Sequence, residues 1–397
     1  MANQNRGRHN AGDRRRQLVS RPLVGTLLAI ILIAGAVTSW SLLGDRIDNE
    51  QPVAAGSCLE GAATVSVVAD PALAPGLQEI AKSFNATKPV VRDHCITIDV
   101  RPADARATLE GLTAKTWDAN AFGAFPAAWV PESAIWSSAL QTTNAGLLQG
   151  NPESLVSSPV RLAMEPEIAK AIDGNLAWSD LPAQTRANSL ADFGKRSWGS
   201  LRIAMPNGPQ SDATALAGQA IAAATTGATE ALTPQQATSP EVVNALNQMM
   251  SAPPSVGDGS IDAAVKSIAE TTDPSDTPVR AVPVTEQHLY VITKDDQAAK
   301  VAVVAPKGQT PVADYPFIKL ASELIPAHAS DAVAEFFTYA RKPMQMETLT
   351  KLGFRGPGPL PAPTATVAFD AVTDPMPQPA PEAAISVNKI VYPAATL

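Results

Sequence analysis

The strongest constraint on the folding of this chain is a run of 22 residues without a charge, at positions 22–43. At 1.5 Å per residue, a helix of that length roughly matches the ~30 Å hydrocarbon core of a bilayer. Six arginines lie within the first 21 residues, and such clusters stay on the cytoplasmic side. The pattern therefore predicts a basic cytoplasmic tail at 1–21, a single plasma-membrane anchor at 22–43, and an extracytoplasmic location for everything that follows.

Two other interpretations of this run stay open, a cleaved signal peptide and a buried helix of a soluble protein. The run is longer than the apolar core of a usual signal peptide, and no convincing cleavage site follows it closely. The sequence AAGSC, which ends at Cys58, hints at a lipoprotein site, but an acidic stretch at 45–50 separates it from the run. We expect an uncleaved anchor, followed by a linker at 44–61.

The composition excludes several classes of protein. Hydrophobic residues make up 45% of the 397 residues and charged residues 17%, so the chain is not expected to be disordered throughout. The net charge of −8 arises after the basic tail, and an acidic surface does not favour nucleic-acid binding. The two cysteines and four histidines are far apart, so we predict no zinc module, no Fe–S centre and no cofactor.

No catalytic signature is present in the sequence. G-x-S-x-G, H-E-x-x-H and the phosphate-loop Gly-Lys-Ser/Thr pattern do not occur, and no residues orient a Ser–His–Asp site. The segment 273–277 has the spacing of a metal-dependent adhesion motif, but it follows a helical pattern and is better interpreted as a turn. We therefore expect no enzymatic activity.

Patterns of strands and helices alternate beyond the linker, which predicts βαβ units, an α/β fold and a mainly parallel sheet. The predicted strands are 63–69, 96–100, 159–164, 201–205, 279–284, 288–293 and 301–305. The predicted helices are 71–84, 105–115, 212–225, 240–250, 261–270, 329–341 and 343–352.

The composition changes abruptly after Gly353. Eight prolines lie between 356 and 381, which predicts an extended polyproline-type spacer without a core of its own. The last residues are apolar enough for one strand but too few for a domain. We expect 356–397 to form a Pro-rich tail.

The two cysteines acquire a meaning in an exported chain, where disulfides form and persist. Cys58 and Cys95 each precede a predicted strand, and neighbouring parallel strands would bring the two positions side by side. We predict a Cys58–Cys95 disulfide that stabilises the fold by roughly 3–4 kcal/mol on the chain-entropy model. Two buried free thiols are the alternative.

Ser211 and Asp212 stand where a predicted strand, ending in Gly-Pro, gives way to an Ala-rich helix. Either side chain would cap the free amides of the helix. The same amides and the helix dipole could instead receive a polar or anionic group of a ligand. Both interpretations stay open, although Asp212 would repel a simple oxyanion.

Several ordered segments resemble bacterial extracellular solute-binding proteins of the type 2 periplasmic binding-protein fold. They include TVSVVADPALAPGLQEIAKSFN, SPVRLAMEPEIAKAI, SLADFGKRSWGSLRIAMPNGPQSDATALAG, VPVTEQHLYVITK, VAVVAPKGQTPVADYPFIKL and SDAVAEFFTYARKPMQMETLTKLGFR. The resemblance implies two α/β lobes around a ligand cleft, with lobe one at 62–158 plus 285–355 and lobe two at 159–284. The sequence is similar to a membrane-anchored, Cys-paired branch of this family, in which a von Willebrand factor A domain often follows. Residues 356–397 leave no room for that domain, so we expect that the chain either lacks it or has been shortened.

The resemblance also implies a set of ligand-binding residues in loops at the ends of strands. These are Asp70, Pro71, Ala72, Phe122, Gly123, Ala124, Ser211, Asp212, Ala213, Thr285 and Glu286. Oxyanion-binding relatives offer a serine where this chain has Asp70, so we expect a small polar organic solute, bound without catalysis. The alternative is a degenerate scaffold that serves as an interaction module for another protein of the cell envelope.

Overall fold

The computed structural model describes residues 58–114 and 116–393, which form ten strands, fourteen α-helices and five short 3₁₀ helices. The strands are β1 (Ala62–Ala69), β2 (Val90–Val91), β3 (His94–Pro102), β4 (Ala128–Val130), β5 (Glu153–Ser154), β6 (Ser158–Met164), β7 (Ala281–Thr285), β8 (Ala302–Val304), β9 (Val312–Ala313) and β10 (Pro316–Lys319). The α-helices are α1 (Ala74–Ala86), α2 (Ala105–Thr113), α3 (Ala119–Phe122), α4 (Ala134–Asn144), α5 (Pro166–Ile172), α6 (Leu181–Gln184), α7 (Asp212–Thr226), α8 (Pro234–Ala237), α9 (Pro240–Met250), α10 (Ile261–Ala269), α11 (Glu286–Thr293), α12 (Ala327–Ala340), α13 (Pro343–Thr350) and α14 (Pro381–Val391). The 3₁₀ helices are Ala145–Leu147, Trp178–Asp180, Ser189–Phe193, Arg196–Trp198 and Pro274–Asp276.

The predicted anchor at 22–43 lies outside the described residues, as do the basic tail and most of the linker. Among the helices that the structure does describe, none combines the length and the apolar character needed to cross a membrane.

The first sheet is built around β1, in the strand order β2-β3-β1-β4-β10-β5. Strand β1 carries the apolar, β-branched run at 63–69, and it pairs in parallel with both β3 and β4. Helices α1 and α12 cover the sheet, with Leu77 and Ile80 of α1 fully buried. We call this sheet and the helices α1, α4 and α12 the first module.

The predicted disulfide is confirmed, because Cys58 is bonded to Cys95. In the parallel register of β1 and β3, Ala62 stands opposite Cys95. The turn before β1 brings Cys58 back to that position, with 5.2 Å between the two Cα atoms, which is a usual separation for a disulfide. The disulfide therefore links the amino-terminal ends of β1 and β3.

The second sheet has β6 at its centre, paired with β7, β8 and β9. All three pairings are antiparallel, so the prediction of a mainly parallel sheet is wrong outside the neighbourhood of β1. The predicted strand at 201–205 makes a single parallel bridge, between Ile203 and Ala281, and forms no ladder within the described chain. This sheet and the helices α7 and α10, which pack against β7, are called the second module.

The chain passes between the two sheets twice, from β5 to β6 at 154–158 and from β9 to β10 at 313–316. Strands β7, β8 and β9 all belong to the second sheet. The predicted return to lobe one at residue 285 therefore does not follow the strand pairing. The predicted strand at 301–305 is present as β8 and β9 was not predicted, and both pair with β6 and extend the second sheet before the chain crosses back.

The segment 288–293 is helical, not a strand as its Val, Ile and Thr content suggested. Alternation would bury Leu289, Val291 and Thr293 together. In α11 the structure buries Leu289 and Thr293, four residues apart, and leaves Val291 and Ile292 exposed. The segment therefore follows the helical period, with one face of α11 buried and the other exposed to solvent.

The last part of the chain forms a helix rather than a strand. Residues 356–380 contain neither strand nor α-helix, as expected of a Pro-rich segment. Helix α14 then begins with Pro381 in its first turn, and its buried side chains follow helical spacing. These buried side chains are Ala383, Ala384, Val387, Asn388 and Val391.

Candidate functional site

Three buried carboxyl groups converge where the two modules meet. Asp70 follows β1 and Glu132 follows β4, and because these strands are parallel neighbours their carboxyl ends lie together. Asp212 is the first residue of α7, in the second module. The exposed fractions are 3%, 4% and 2% for Asp70, Glu132 and Asp212 respectively. We call these three residues the acidic cluster.

Asp212 is bound directly by the first module. The Ser133 hydroxyl donates to its Oδ2 atom at 2.6 Å, and the Trp136 indole Nε1–H donates to the same oxygen at 2.8 Å. Ser133 and Trp136 lie at the start of α4, directly after Glu132. One carboxylate oxygen therefore joins the first turn of α7 to the first turn of α4.

Asp70 and Glu132 are held differently. Asp70 accepts the backbone N–H of Ala72 at 2.9 Å, which fixes the turn between β1 and α1. The backbone N–H of Asp212 hydrogen-bonds the Glu132 carboxyl group. The second oxygen of Glu132, Oε2, is buried without a hydrogen-bond partner among the described residues. It is an acceptor available to a ligand, since an unsatisfied buried oxygen is costly.

Burial raises the pKa of all three carboxyl groups. The pKa of Asp70 rises to about 6 and that of Asp212 to about 8, in each case mainly because burial disfavours the charge. The pKa of Glu132 is raised well above its usual value by burial, and then by the charges of Asp212 and Asp70. Although donors to Asp212 oppose the rise, burial outweighs them. Asp212, whose pKa is about 8, therefore retains its proton near neutral pH in this conformation.

A cavity of about 360 Å³ lies beside the cluster, with Pro71 and Ala72 of the Asp70 turn in its wall. Gln210, just before α7, and Gln287 and His288 of α11 line the same cavity. His288 Nε2 lies 2.6 Å from Asp262 Oδ1. The exposed apolar side chains of Val291 and Ile292 also line this cavity. Its wall thus combines polar groups with an apolar edge.

The structure brings together one part of the predicted site. Asp70 lies close enough to Asp212 for their charges to interact, and Pro71 and Ala72 share a cavity with Gln210, the residue before Ser211. Ser211 and Ala213, on either side of Asp212, are buried. Ser211 precedes the helix, but its side chain makes no cap hydrogen bond there; its hydroxyl reaches Pro209 O at 3.4 Å instead.

The remaining predicted residues lie elsewhere. Phe122 and Gly123 line a separate cavity of about 350 Å³ beside Arg101 and Trp117, and Ala124 is exposed. The Trp117 indole donates to Gly123 O at 2.8 Å. Gly123 has a φ of +76°, and a Cβ there would overlap Arg101. This loop is shaped by its own contacts.

Glu286 forms a buried ion pair rather than facing the acidic cluster. Arg355 Nε and Nη2 donate to its two carboxylate oxygens at 2.8 and 2.9 Å. Thr285, which precedes it at the end of β7, is buried, and its hydroxyl lacks a partner among the described residues. Glu286 therefore joins α11 to the segment after α13.

The sequence prediction missed Glu132, Ser133, Trp136 and Tyr392. Tyr392 follows α14, and its pKa is raised by burial and by the charges of Asp212 and Glu132, which places it near the cluster. A usable signal for Glu132 was its position directly after the apolar residues 127–130. Within the described residues, no group of three or more His, Cys, Asp or Glu side chains is arranged to hold a metal ion.

Comparison with known proteins establishes the class to which this chain belongs. Residues 65–355 match the family model described as bacterial extracellular solute-binding protein. Because that match covers most of the chain, the chain belongs to this family. Two uncharacterised proteins of Mycobacterium tuberculosis, from strains CDC 1551 and H37Rv, are each 34% identical over 367 residues, which is 92% of this chain. The chain spans only 53% of their length.

Solved structures show the same fold at low sequence identity. Iron-bound HitA of Pseudomonas aeruginosa superposes with a TM-score of 0.55 at 16% identity, covering 83% of this chain and 99% of that one. The ferric binding protein of Campylobacter jejuni gives 0.53 at 11% identity, covering 82% and 97%. The periplasmic binding protein AfuA of Actinobacillus pleuropneumoniae, with fructose-6-phosphate bound, gives 0.52 at 13% identity, covering 83% and 97%. The recognised family and fold are therefore confirmed.

Proposed function

We propose that this protein is a membrane-tethered, extracytoplasmic solute-binding protein that holds a small polar solute between its two modules and does no chemistry on it. Its family supports ligand binding. The acidic cluster is the observation that supports a site at the junction, because its polar groups come from both modules. The tether would be the apolar run at 22–43, with residues 1–21 in the cytoplasm.

The chemistry of the cluster favours a solute with hydrogen-bond donors, and a protonated amine above others. Every side chain of the cluster is a carboxyl group, and the partnerless oxygen of Glu132 accepts but does not donate once ionised. A bound ammonium group would stabilise the carboxylate form and so displace the protons that burial retains. The affinity for an amine should then increase between pH 6 and 8.

A thermal-shift screen tests the proposal with the full chain in detergent or lipid nanodiscs. Panels of organic amines, neutral polyols and oxyanions should differ, with an amine raising Tm. A solute at 100 times its Kd adds about 2.7 kcal/mol to the free energy of unfolding. Glu132→Gln should reduce that gain, whereas Glu79→Gln, at an exposed position of α1, should preserve it.

A second candidate function is supported by the hydrogen bonds of Asp212. Both donors to this carboxylate come from the chain itself, as expected of a cleft that no longer receives a solute. The protein would then serve as an interaction module for another envelope protein. A screen without any shift in Tm, together with cross-linking in the native envelope that recovers a protein partner, would favour this function over solute binding.

A further inference from the structure

Helix α14 lies beyond residues 65–355, the part of the chain that matches the family. It packs on α4 of the first module and on α7 of the second, and it also contacts α8 and α9. Helices α4 and α7 are the two helices that begin at the acidic cluster. A single terminal helix thus lies across the junction between the modules.

The contact between α14 and α7 is close. A Cβ atom on Gly218 of α7 would lie 2.6 Å from Val391 Cγ2 and 3.3 Å from Val387 Cγ1. The glycine therefore makes room for the two valines. Next to them, the buried Gln219 Nε2 donates to Asn388 Oδ1 at 3.3 Å. Apolar packing and a buried polar contact together seat the helix on α7.

Tyr392 extends this contact to the acidic cluster. Only 2% of the residue is exposed, and its hydroxyl donates to Gly208 O, just before α7, at 3.2 Å. On the other side its ring centroid lies 6.4 Å from that of Trp136, at 77° between the planes. Trp136 is the same side chain that donates to Asp212. Tyr392 therefore contacts both sides of the junction, Gly208 before α7 and Trp136 of α4.

The interface between α14 and the two modules is incompletely filled. A cavity of about 220 Å³ lies among α4, α7 and the segment before α14, bordered by Ser138, Leu216 and Ala384. Residues 356–380, which lead to the helix, contain no strand or α-helix but are held at several points. The N–H of Thr310 donates to Asp374 O at 2.8 Å and its carbonyl accepts from Met376 at 2.7 Å, and the Val367 side chain is buried. The unfilled space beside α14, rather than its leader, is the feature that favours reversible release of the helix.

We propose that α14 and Tyr392 form an intramolecular clasp, which holds α4 and α7 together over the acidic cluster and must undock before the two modules can separate. That α14 and Tyr392 hold the two helices together does not depend on the proposed function. The consequence for solute exchange rests on the proposed function: a docked clasp would slow both entry and release of the solute.

Distance measurements between the modules test the clasp. Both native cysteines are in the disulfide, so spin labels on Lys82→Cys of α1 and Lys266→Cys of α10 report one distance across the junction in the full chain. Val387→Glu places a charge in the buried face of α14. Lys389→Glu places the same charge on its exposed face and is the matched control.

We expect the parent and Lys389→Glu to share one narrow distance distribution, and Val387→Glu to show a broader distribution with a longer mean. Limited proteolysis within 381–393 reports undocking independently. Should Val387→Glu fail to fold, a protease site inserted after the exposed Ala362 allows the folded chain to be cut, with added peptide 381–397 restoring the short distance. An undocked helix with an unchanged distribution would overturn the clasp, even if the solute screen succeeds.

Discussion

At the scale of single residues, Asp212 joins the two modules by accepting hydrogen bonds from the first. A carboxylate that accepts from Ser133 and Trp136 would ordinarily ionise easily, since both donors stabilise the charge. Burial has the larger effect here and raises the pKa of Asp212 to about 8. The closed junction therefore favours a protonated side chain, and opening it would release that proton to water.

The pH dependence of stability follows from this shift. The folded chain holds the Asp212 proton up to about pH 8, whereas the unfolded chain releases it near pH 4. Because the unfolded state binds fewer protons in that window, the free energy of unfolding should fall as pH rises from about 4 to 8. Asp70, with a pKa raised to about 6, adds to the fall in its lower half.

Asp212→Asn should flatten this profile between pH 6 and 8, since the amide oxygen still accepts from both donors and has no proton to lose. Urea unfolding at several pH values measures the difference, which should be on the order of a few kcal/mol across the window. Glu382→Gln, on the exposed face of α14, serves as the control. A variant profile as steep as that of the parent would contradict the assignment.

A substitution of Glu286 tests whether this residue has a structural role or a role in binding the solute. Glu286→Gln leaves the half-buried Arg355 without its paired charge, with Arg161 also close enough to sense the loss. Removing one partner of a buried ion pair costs about 3–5 kcal/mol, so Tm should fall clearly in differential scanning calorimetry. The solute preference found by thermal shift should stay the same. A changed preference without a loss of stability would place Glu286 in the binding site instead.

At the scale of elements, local patterns predicted what lies next to them in sequence. The β1 run and the cysteine spacing gave the β1–β3 pairing and the disulfide, and α9 begins and ends where its periodicity indicated. Strand β4 has only three residues and lies between prolines, so the apolar run at 127–130 was too short a signal to be predicted as a strand with Glu132 at its end. Helix α14 packs against partners more than 130 residues away in the sequence, which no local pattern records.

Gly218 offers a test of the α7–α14 contact. Gly218→Ala should lower the free energy of unfolding by about 1–3 kcal/mol through overpacking against Val391, despite the better helix propensity of alanine. Val391→Ala removes the two methyl groups that the new Cβ would meet. In urea unfolding, the double variant should therefore lose less stability than the sum of the two single variants. Strict additivity would show that the helices do not touch there.

At the scale of the whole molecule, the resemblance predicted the fold and two passages of the chain between the sheets. The strand pairing puts the second passage at 313–316 rather than at residue 285. Half of the predicted site came together because Asp70 and Asp212 each stand at the end of a regular element. The loop at 122–124 and Glu286 did not, because Trp117 and Arg355 hold them in other contacts.

Amide hydrogen exchange of the full chain, with and without a stabilising amine, tests most directly whether a solute lies between the modules. Segments 130–136 and 208–216 come from different modules and meet at the acidic cluster. Exchange should slow in both segments at once when the amine is added, and Glu132→Gln should lose the effect in both. Unchanged exchange in the two segments at an amine concentration that raises Tm would place the solute elsewhere and contradict the account.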